Sequence, residues 1–177
     1  ALLIDGTYQN DTLYGSSSFD TIHGMAGHDV IAGLAATDSL FGDGGNDRFV
    51  WNDGDGSDFI EGGADQDELE VTLDVSAGDD LTITPNGTRV FVQRTNLTTF
   101  TLDVGTVETL DVRGGGGNDR LSGSVGLAGL VSLDFDGGPG NDIIHGGDGN
   151  DFLGGGEGAD ILVGELGADV LRAGPGD

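Results

Sequence analysis

Aspartates recur at every ninth residue over two stretches of the chain, and glycines precede most of them. The clearest run covers residues 137–172, which reads as four nine-residue units that begin at residues 137, 146, 155 and 164. Each unit follows the pattern G-G-x-G-x-D-x-U-x, where U is a large apolar residue, and only Glu165 departs from it. The glycines allow a turn whose carbonyl oxygens point at a common centre, and the aspartate adds a carboxylate. Oxygen donors of this kind suit a hard divalent cation.

The nine-residue spacing also predicts how the units are arranged. Positions seven to nine are long enough only for a short strand, in which position eight points inward and positions seven and nine point outward. Nine residues then make half a coil, and eighteen make one coil with a turn on each side. Coils stacked at about 4.8 Å would place an ion roughly 2.4 Å from oxygens above and below, within the calcium–oxygen range. Magnesium needs shorter contacts, and transition metals favour His or Cys, although the chain has no Cys.

The repeat resembles that of the RTX, or haemolysin-type calcium-binding, family, whose nonapeptide forms a calcium-binding parallel β-helix. The resemblance implies an all-β fold, a parallel β-roll or β-helix solenoid stabilised by several Ca²⁺ ions. It also implies that each ion takes carboxylates from two stacked turns together with carbonyls of the glycine turns.

Carried over to this sequence, the resemblance implies a set of position-six aspartates and a set of glycines at positions one and four. The aspartates are Asp29, Asp47, Asp58, Asp67, Asp119, Asp142, Asp151, Asp160 and Asp169. The glycines are Gly24, Gly27, Gly42, Gly45, Gly114, Gly117, Gly137, Gly140, Gly146, Gly149, Gly155, Gly158, Gly164 and Gly167. Asp11, Asp20 and Asp38 also hold position six, but their turns contain fewer glycines and so offer fewer convergent carbonyls.

The order of the units predicts two repeat blocks with a β-hairpin insert between them. Residues 1–70 form an N-terminal roll, in which the turns that begin at residues 6, 24, 42 and 62 share one side. Residues 71–112 lose the repeat and read as strands, and Asn86-Gly87 predicts a hairpin turn between two of them. Residues 113–177 form a C-terminal roll that stops within a repeat. Because the chain also begins with Ala1, we expect it to be part of a longer polypeptide.

The composition of the chain favours small cations as partners. It carries 32 acidic residues against 6 basic ones, for a formal net charge of −26. Such a charge repels nucleic acid and anionic membranes. No apolar run approaches the roughly 20 residues of a membrane span. With no disulfides to staple it, the chain is expected to depend on bound metal and to be largely unfolded without calcium.

Catalytic patterns are absent from the sequence, and we expect no enzyme activity. His23, His28 and His145 occupy outward or turn positions, and no G-x-S-x-G motif occurs. The resemblance implies a structural and secretion module that leaves a bacterial cell unfolded, by type I secretion, and folds outside on binding calcium. Its partner would be the remainder of a secreted or surface protein such as a toxin, adhesin, exoenzyme or surface-layer protein. The alternative is a carbohydrate-binding accessory module of an extracellular polysaccharide-modifying enzyme, for which a neutral glycan is the compatible ligand.

Overall fold

The regular secondary structure of the chain consists of short strands joined by turns. A computed structural model describes residues 1–176, in which there are eighteen strands and no helix. Asp177, the end of the predicted C-terminal roll, lies outside the described residues. The strands are β1 (Leu3–Asp5), β2 (Thr12–Tyr14), β3 (Thr21–His23), β4 (Val30–Ala32), β5 (Ser39–Gly44), β6 (Arg48–Asn52), β7 (Phe59–Ala64), β8 (Glu68–Thr72), β9 (Asp80–Asn86), β10 (Arg89–Arg94), β11 (Phe100–Gly105), β12 (Thr109–Arg113), β13 (Arg120–Gly123), β14 (Ser132–Pro139), β15 (Ile143–His145), β16 (Phe152–Glu157), β17 (Ile161–Val163) and β18 (Val170–Arg172). Over the same residues, no helix is long and apolar enough to cross a membrane.

The strands form two sheets that face each other across a solenoid. Sheet A has the order β1-β3-β5-β7-β11-β10-β9-β13-β15-β17, and sheet B has the order β2-β4-β6-β8-β12-β14-β16-β18. The chain passes from one sheet to the other after nearly every strand, so a strand from each sheet makes one coil, and about eight coils result. Ile22 pairs in parallel with Leu40, eighteen residues later, as the repeat predicts. The predicted all-β, parallel β-roll is therefore confirmed.

The core is a double row of the apolar residues at position eight. Their neighbours at positions seven and nine are more exposed, because successive side chains of a strand face opposite ways. The position-eight side chains that are at most 2% exposed are Ile22, Ile31, Leu40, Phe49, Ile60, Leu69, Leu121, Ile144 and Leu153. Leu171, which was also predicted to point inward, is 46% exposed because β18 lies at the edge of sheet B and has a neighbour on one side only.

Strands β9, β10 and β11, which lie between the repeat blocks, all belong to sheet A. Strands β9 and β10 are antiparallel, with Asn86 opposite Arg89, which confirms the predicted hairpin turn. Strand β10 also pairs antiparallel with β11, and the outer members of this trio pair in parallel with the repeats, β11 with β7 and β9 with β13. Sheet A therefore gains three strands in the coil where sheet B gains only β12. The division of the chain into three domains stays a prediction.

The extra strands enlarge the core in the middle of the solenoid. The rings of Trp51 and Phe100 lie 4.1 Å apart, and both side chains are at most 5% exposed. Trp51 belongs to the two-residue insertion that interrupts the first repeat block, so the inserted residue fills the space that the extra strands create. Its indole nitrogen donates to the Gly56 carbonyl oxygen at 3.1 Å, which satisfies the one polar group of the ring.

Two position-eight leucines of sheet B, one buried and one exposed, offer a test of where the core lies. Leu69→Ala removes a side chain that is 0% exposed and should lower the free energy of unfolding by about 3 kcal/mol, because a cavity remains. Leu171→Ala is the matched control at the same repeat position and should cost less than about 1 kcal/mol. Urea unfolding in saturating calcium measures both, and equal losses would contradict this placement of the core.

Candidate metal centre

The turns between the two sheets stack along the two edges of the solenoid. The first edge carries the turns that begin at residues 6, 24, 42, 62, 106, 124, 146 and 164, and the second edge carries those that begin at residues 15, 33, 53, 73, 114, 137, 155 and 173. Backbone hydrogen bonds join successive turns, for example from Gly6 N to His23 O and from Gly15 N to Ala32 O, both 2.8 Å long. The predicted sharing of sides is therefore confirmed.

The aspartates at position six form a hydrogen-bonded ladder along each edge. Within each run, the amide nitrogen of one aspartate donates to Oδ1 of the aspartate in the next turn of the same edge, as in Asp29 to Asp47 (2.8 Å) and Asp119 to Asp142 (2.7 Å). All twelve predicted aspartates take part. The linked runs are Asp11–Asp29–Asp47–Asp67 and Asp151–Asp169 on the first edge, and Asp20–Asp38–Asp58 and Asp119–Asp142–Asp160 on the second.

The second oxygen of most of these carboxylates is buried without a hydrogen-bond donor. Within residues 1–176, Oδ2 lacks a partner in Asp29, Asp38, Asp47, Asp67, Asp119, Asp142 and Asp151. Leaving a buried acceptor unsatisfied costs about 1–3 kcal/mol, and more when the group is charged. A row of such atoms on each edge indicates that a positive group belongs beside them.

A carbonyl oxygen of the following turn lies beside most of the unpartnered carboxylate oxygens, next to the glycine at position one. A Cβ atom placed on Gly114 would lie 2.6 Å from Asp119 Oδ2 and 2.7 Å from the carbonyl oxygen of Gly137. At Gly146 the corresponding distances are 2.8 Å to Asp151 Oδ2 and 2.9 Å to the Gly164 carbonyl oxygen. Any side chain at position one would fill this space. Two oxygens from successive turns therefore face a common point, which suits an oxygen-liganded cation.

The glycine at position four is required by the path of the backbone. All seven predicted glycines at this position have φ between 117° and 159°, a region that L-residues rarely adopt. The glycine-poor turn at residues 33–38 keeps the same path, since Leu34 and Ala36 have φ of 66° and 108°. Such strain costs on the order of 1–3 kcal/mol per residue, so stacking with neighbouring turns determines the conformation even where the sequence opposes it.

Two of the twelve aspartates differ from the rest because hydroxyl groups already satisfy them. Thr7 donates to Asp11 Oδ2 from its amide nitrogen (2.6 Å) and its hydroxyl (2.8 Å), and Ser16 does the same for Asp20 Oδ2 at the same distances. Burial acts to raise the pKa of Asp20, but the hydrogen bonds from Ser16 and from Leu2 outweigh burial and lower that pKa. These turns therefore have less need of a cation than the others.

Two residues that the repeat pattern did not identify extend the ladders. Asp79 is 1% exposed, its amide nitrogen donates to Asp119 Oδ1 at 2.7 Å, and its Oδ2 is buried without a donor within the described chain. Glu108 Oε2 accepts from the Asp67 amide at 2.8 Å, in place of an aspartate. The turns before them are not six residues long, which hid them. Each nevertheless stands two residues before a buried leucine, as position six does in the repeat, and that spacing is the signal that finds them.

Burial makes the charged form of four ladder carboxylates unfavourable in the absence of a cation. Desolvation, with a smaller contribution from neighbouring carboxylates, raises the pKa of Asp58 and of Asp119 to about 7. The same causes raise the pKa of Asp47 and of Asp67 to about 6. A backbone hydrogen bond to each group lowers its pKa, but by less than burial raises it. The folded turns therefore hold a proton or a cation better than they hold an isolated negative charge.

These shifts predict that acid partly replaces metal in stabilising the roll. Because the folded pKa of the four groups lies above the ordinary 3.8, folding takes up protons. Their contribution to stability is full below that value and is lost as the pH rises through about 6 to 7. We expect the calcium-free chain to gain β-sheet circular dichroism when the pH falls from about 8 to about 5.

The calcium-loaded chain is the control for this acid titration, because protons compete with the metal for the same oxygens. Its β-sheet signal should stay constant or fall over the same range of pH. A calcium-free chain whose signal does not rise on acidification would contradict the effect of burial on these four aspartates.

Residues 1–176 do not form a metal site from side chains alone, since no three His, Asp or Glu side chains there converge on one point. The histidine side chains have other partners: His23 Nδ1 is 3.0 Å from Asp43 Oδ2, His145 Nδ1 is 3.2 Å from Glu165 Oε1, and His28 Nδ1 accepts from the Asn46 amide. Any ligand set in the turns must therefore combine carboxylates with backbone carbonyls, which is a donor set for a hard cation rather than a transition metal.

Comparison with known families agrees with this donor set. The family model described as "RTX calcium-binding nonapeptide repeat (4 copies)" matches residues 5–40, 23–50, 52–70, 111–126, 135–162 and 154–177, which together make up more than half of the chain. No curated protein matches the sequence. The matched residues include the position-six aspartates of both ladders, and the gap between them coincides with strands β9 to β11. The chain belongs to the family of RTX calcium-binding nonapeptide repeats.

Proposed function

We propose that the ladder turns bind several Ca²⁺ ions and that this binding folds the chain. The ligands in each site are the position-six carboxylates of two stacked turns and the carbonyls of the glycine turns. The observation that carries the proposal is the row of buried Oδ2 atoms without donors, most of which lie beside a carbonyl oxygen of the next turn. Calcium accepts six to eight oxygen ligands in flexible arrangements, which a stack of turns provides.

The aspartates and glycines proposed as ligands are those of the repeat pattern. The aspartates are Asp29, Asp47, Asp58, Asp67, Asp119, Asp142, Asp151, Asp160 and Asp169, and the glycines are the position-one and position-four glycines of the same turns. Asp38 joins this group, because its Oδ2 has no donor among the described residues. Asp11 and Asp20 are weaker candidates, since Thr7 and Ser16 already bond to them.

Calcium would supply both charge neutralisation and bonds between coils. The ladders stack carboxylates along each edge in a chain of net charge −26, and their mutual repulsion opposes the compact state. Each short strand of the repeats contributes about one fully buried side chain to the core. That small apolar contribution does not offset the backbone ordering cost of roughly 1–2 kcal/mol per residue. The free energy of calcium binding is therefore part of the free energy of folding.

We infer that the chain is a structural and secretion module that works outside a bacterial cell. A chain that stays unfolded where calcium is scarce and folds where it is plentiful suits export before folding. The module would carry no catalytic activity, and its partner would be the rest of a secreted or surface protein. The family membership and the composition support this role.

A matched pair of aspartates on the second edge tests the assignment of ligands. Asp119→Asn removes a buried carboxylate whose Oδ2 has no donor, and should lower calcium affinity at its site by at least about tenfold. Asp20→Asn changes a residue equally buried, 3% exposed against 2%, whose Oδ2 already accepts from Ser16. It should change calcium binding less. Calorimetric titration measures both, and equal losses would contradict the distinction between the two turns.

Dependence of the fold on calcium is tested with the unmodified chain. In a chelator we expect weak β-sheet circular dichroism and no cooperative melting of the repeats, and millimolar calcium should restore both. Magnesium at the same concentration should restore little, because it requires shorter octahedral contacts and keeps its water. A full β-sheet signal with cooperative melting in chelator would show that the apolar core, and not calcium, holds the fold.

A further inference from the structure

The ladder on the second edge is interrupted at the middle of the solenoid. Asp58 ends one run and Asp79 begins the next, and within the described residues no hydrogen bond joins the amide of Asp58 to the carboxylate of Asp79. The turns themselves still meet, since the Asp53 amide donates to the Thr72 carbonyl at 2.9 Å. The strands that follow them, β7 and β9, are separated in sheet A by β10 and β11. The two aspartates are thereby displaced from each other.

Arg94 occupies this interruption with its guanidinium group. Nη2 donates to Asp53 Oδ1 at 2.6 Å, Nη1 donates to Asp79 Oδ1 at 3.0 Å, and Nε donates to the Thr98 carbonyl at 2.7 Å. The side chain is 1% exposed, and the Asp79 side chain is 0% exposed. One cation therefore bridges carboxylates from two successive turns and also binds a backbone carbonyl.

The surroundings of Arg94 are built for a guanidinium. Its Cζ atom lies 5.2 Å from the centre of the Phe100 ring, which packs in turn against Trp51. Aromatic faces attract a cation through their quadrupole. Asp53 stands at position one of its unit, where most other units have glycine, and this carboxylate is what Arg94 binds. The departure from the repeat at residue 53 is therefore explained by the arginine.

We propose that Arg94 is a built-in cation at this junction, so that strands β9–β11 stay folded without calcium between two calcium-dependent rolls. The inference rests on the proposed function, because it assigns to an arginine the part that calcium has between the other turns. Arginine keeps its charge at any ordinary pH and presents several donors in a fixed geometry, so the junction needs no ion. The antiparallel pairing of β9, β10 and β11 adds contacts that are local in sequence and do not depend on the ladders.

Hydrogen exchange of the whole chain, followed by mass spectrometry, tests this proposal. In chelator, peptides from residues 80–105 of the wild-type chain should keep their protection, while peptides from residues 6–47 and 137–172 should lose it. Arg94→Gln leaves two carboxylates facing each other in a buried site, and should lower protection of residues 80–105 in chelator by about a hundredfold. Millimolar calcium should restore that protection, because the glutamine amide oxygen and the two carboxylates are ligands of the kind that calcium takes. Native mass spectrometry should then count one calcium more than in the wild type.

Arg113→Gln is the matched control. Arg113 also contacts two carboxylates, Glu70 at 2.8 Å and Asp111 at 3.1 Å, but its side chain is 52% exposed on the outer face of sheet B. This variant should behave like the wild type in both conditions.

Three outcomes would overturn the assignment of Arg94. The first is loss of protection at residues 80–105 together with the repeats in wild-type chelator samples, which would leave the calcium-dependent fold intact as a proposal. The second is an Arg94→Gln chain that matches the Arg113→Gln control. The third is an Arg94→Gln chain that calcium fails to restore, since arginine would then have a structural part that no cation replaces. Protection of the whole wild-type chain in chelator would instead contradict the proposed function itself.

Discussion

Most carboxylates of the ladders have one oxygen with a hydrogen-bond donor and one without, and the rest of the structure depends on this difference. Oδ1 accepts the amide of the preceding turn, which holds the side chain in place and keeps the turns in register. Oδ2 points into the turn, where in most cases nothing donates to it. A buried charge is tolerated only when it is paired, so each turn is stable with a cation or a proton and unstable with neither. Successive turns consequently each present an incomplete binding site, which a positively charged partner completes.

The apolar core and the ladders stabilise different parts of the solenoid. Strands of three residues bury at most one or two side chains, so the core is a double row with little thickness over most of the repeats. The middle of the solenoid is different, because the three strands of the insert, together with Trp51 and Phe100, bury a wider apolar cluster. In the repeats, the ladders on the two edges contribute most to stability. In the middle of the solenoid, the apolar core contributes most. This contrast is the physical reason to expect the two kinds of segment to respond differently to loss of calcium.

The interruption of the second ladder shows how a solenoid accommodates an insert. Extra strands in sheet A displace Asp58 from Asp79, although their turns still meet, and sheet B continues without a gap from β8 to β12. A calcium site needs two turns in register, so it cannot be kept across such a step. A long side chain can cross the step, and Arg94 does so from the last position of β10. The guanidinium group of Arg94 thus balances the charge of the carboxylates at a position where the turns are not in register for a calcium ion.

From the sequence alone one could predict the repeat, the coil of eighteen residues, the row of apolar residues at position eight and the twelve aspartates of the ladders. These follow from a fixed period, because a regular spacing of glycine, aspartate and apolar residues allows only one way to stack turns and strands. The hairpin turn at Asn86-Gly87 could also be predicted, because Asn-Gly between two strands is a local turn signal. The tertiary structure was needed to show that Asp79 and Glu108 accept or extend ladder hydrogen bonds and that Arg94 fills the interruption, because these contacts depend on which strands pair across the insert. The two-residue spacing from Asp79 and Glu108 to a leucine marks them as candidates but does not bring them into the ladders. The hydroxyl bonds to Asp11 and Asp20 form within single turns, but a Ser or Thr hydroxyl has several possible partners there, so the sequence does not select these bonds.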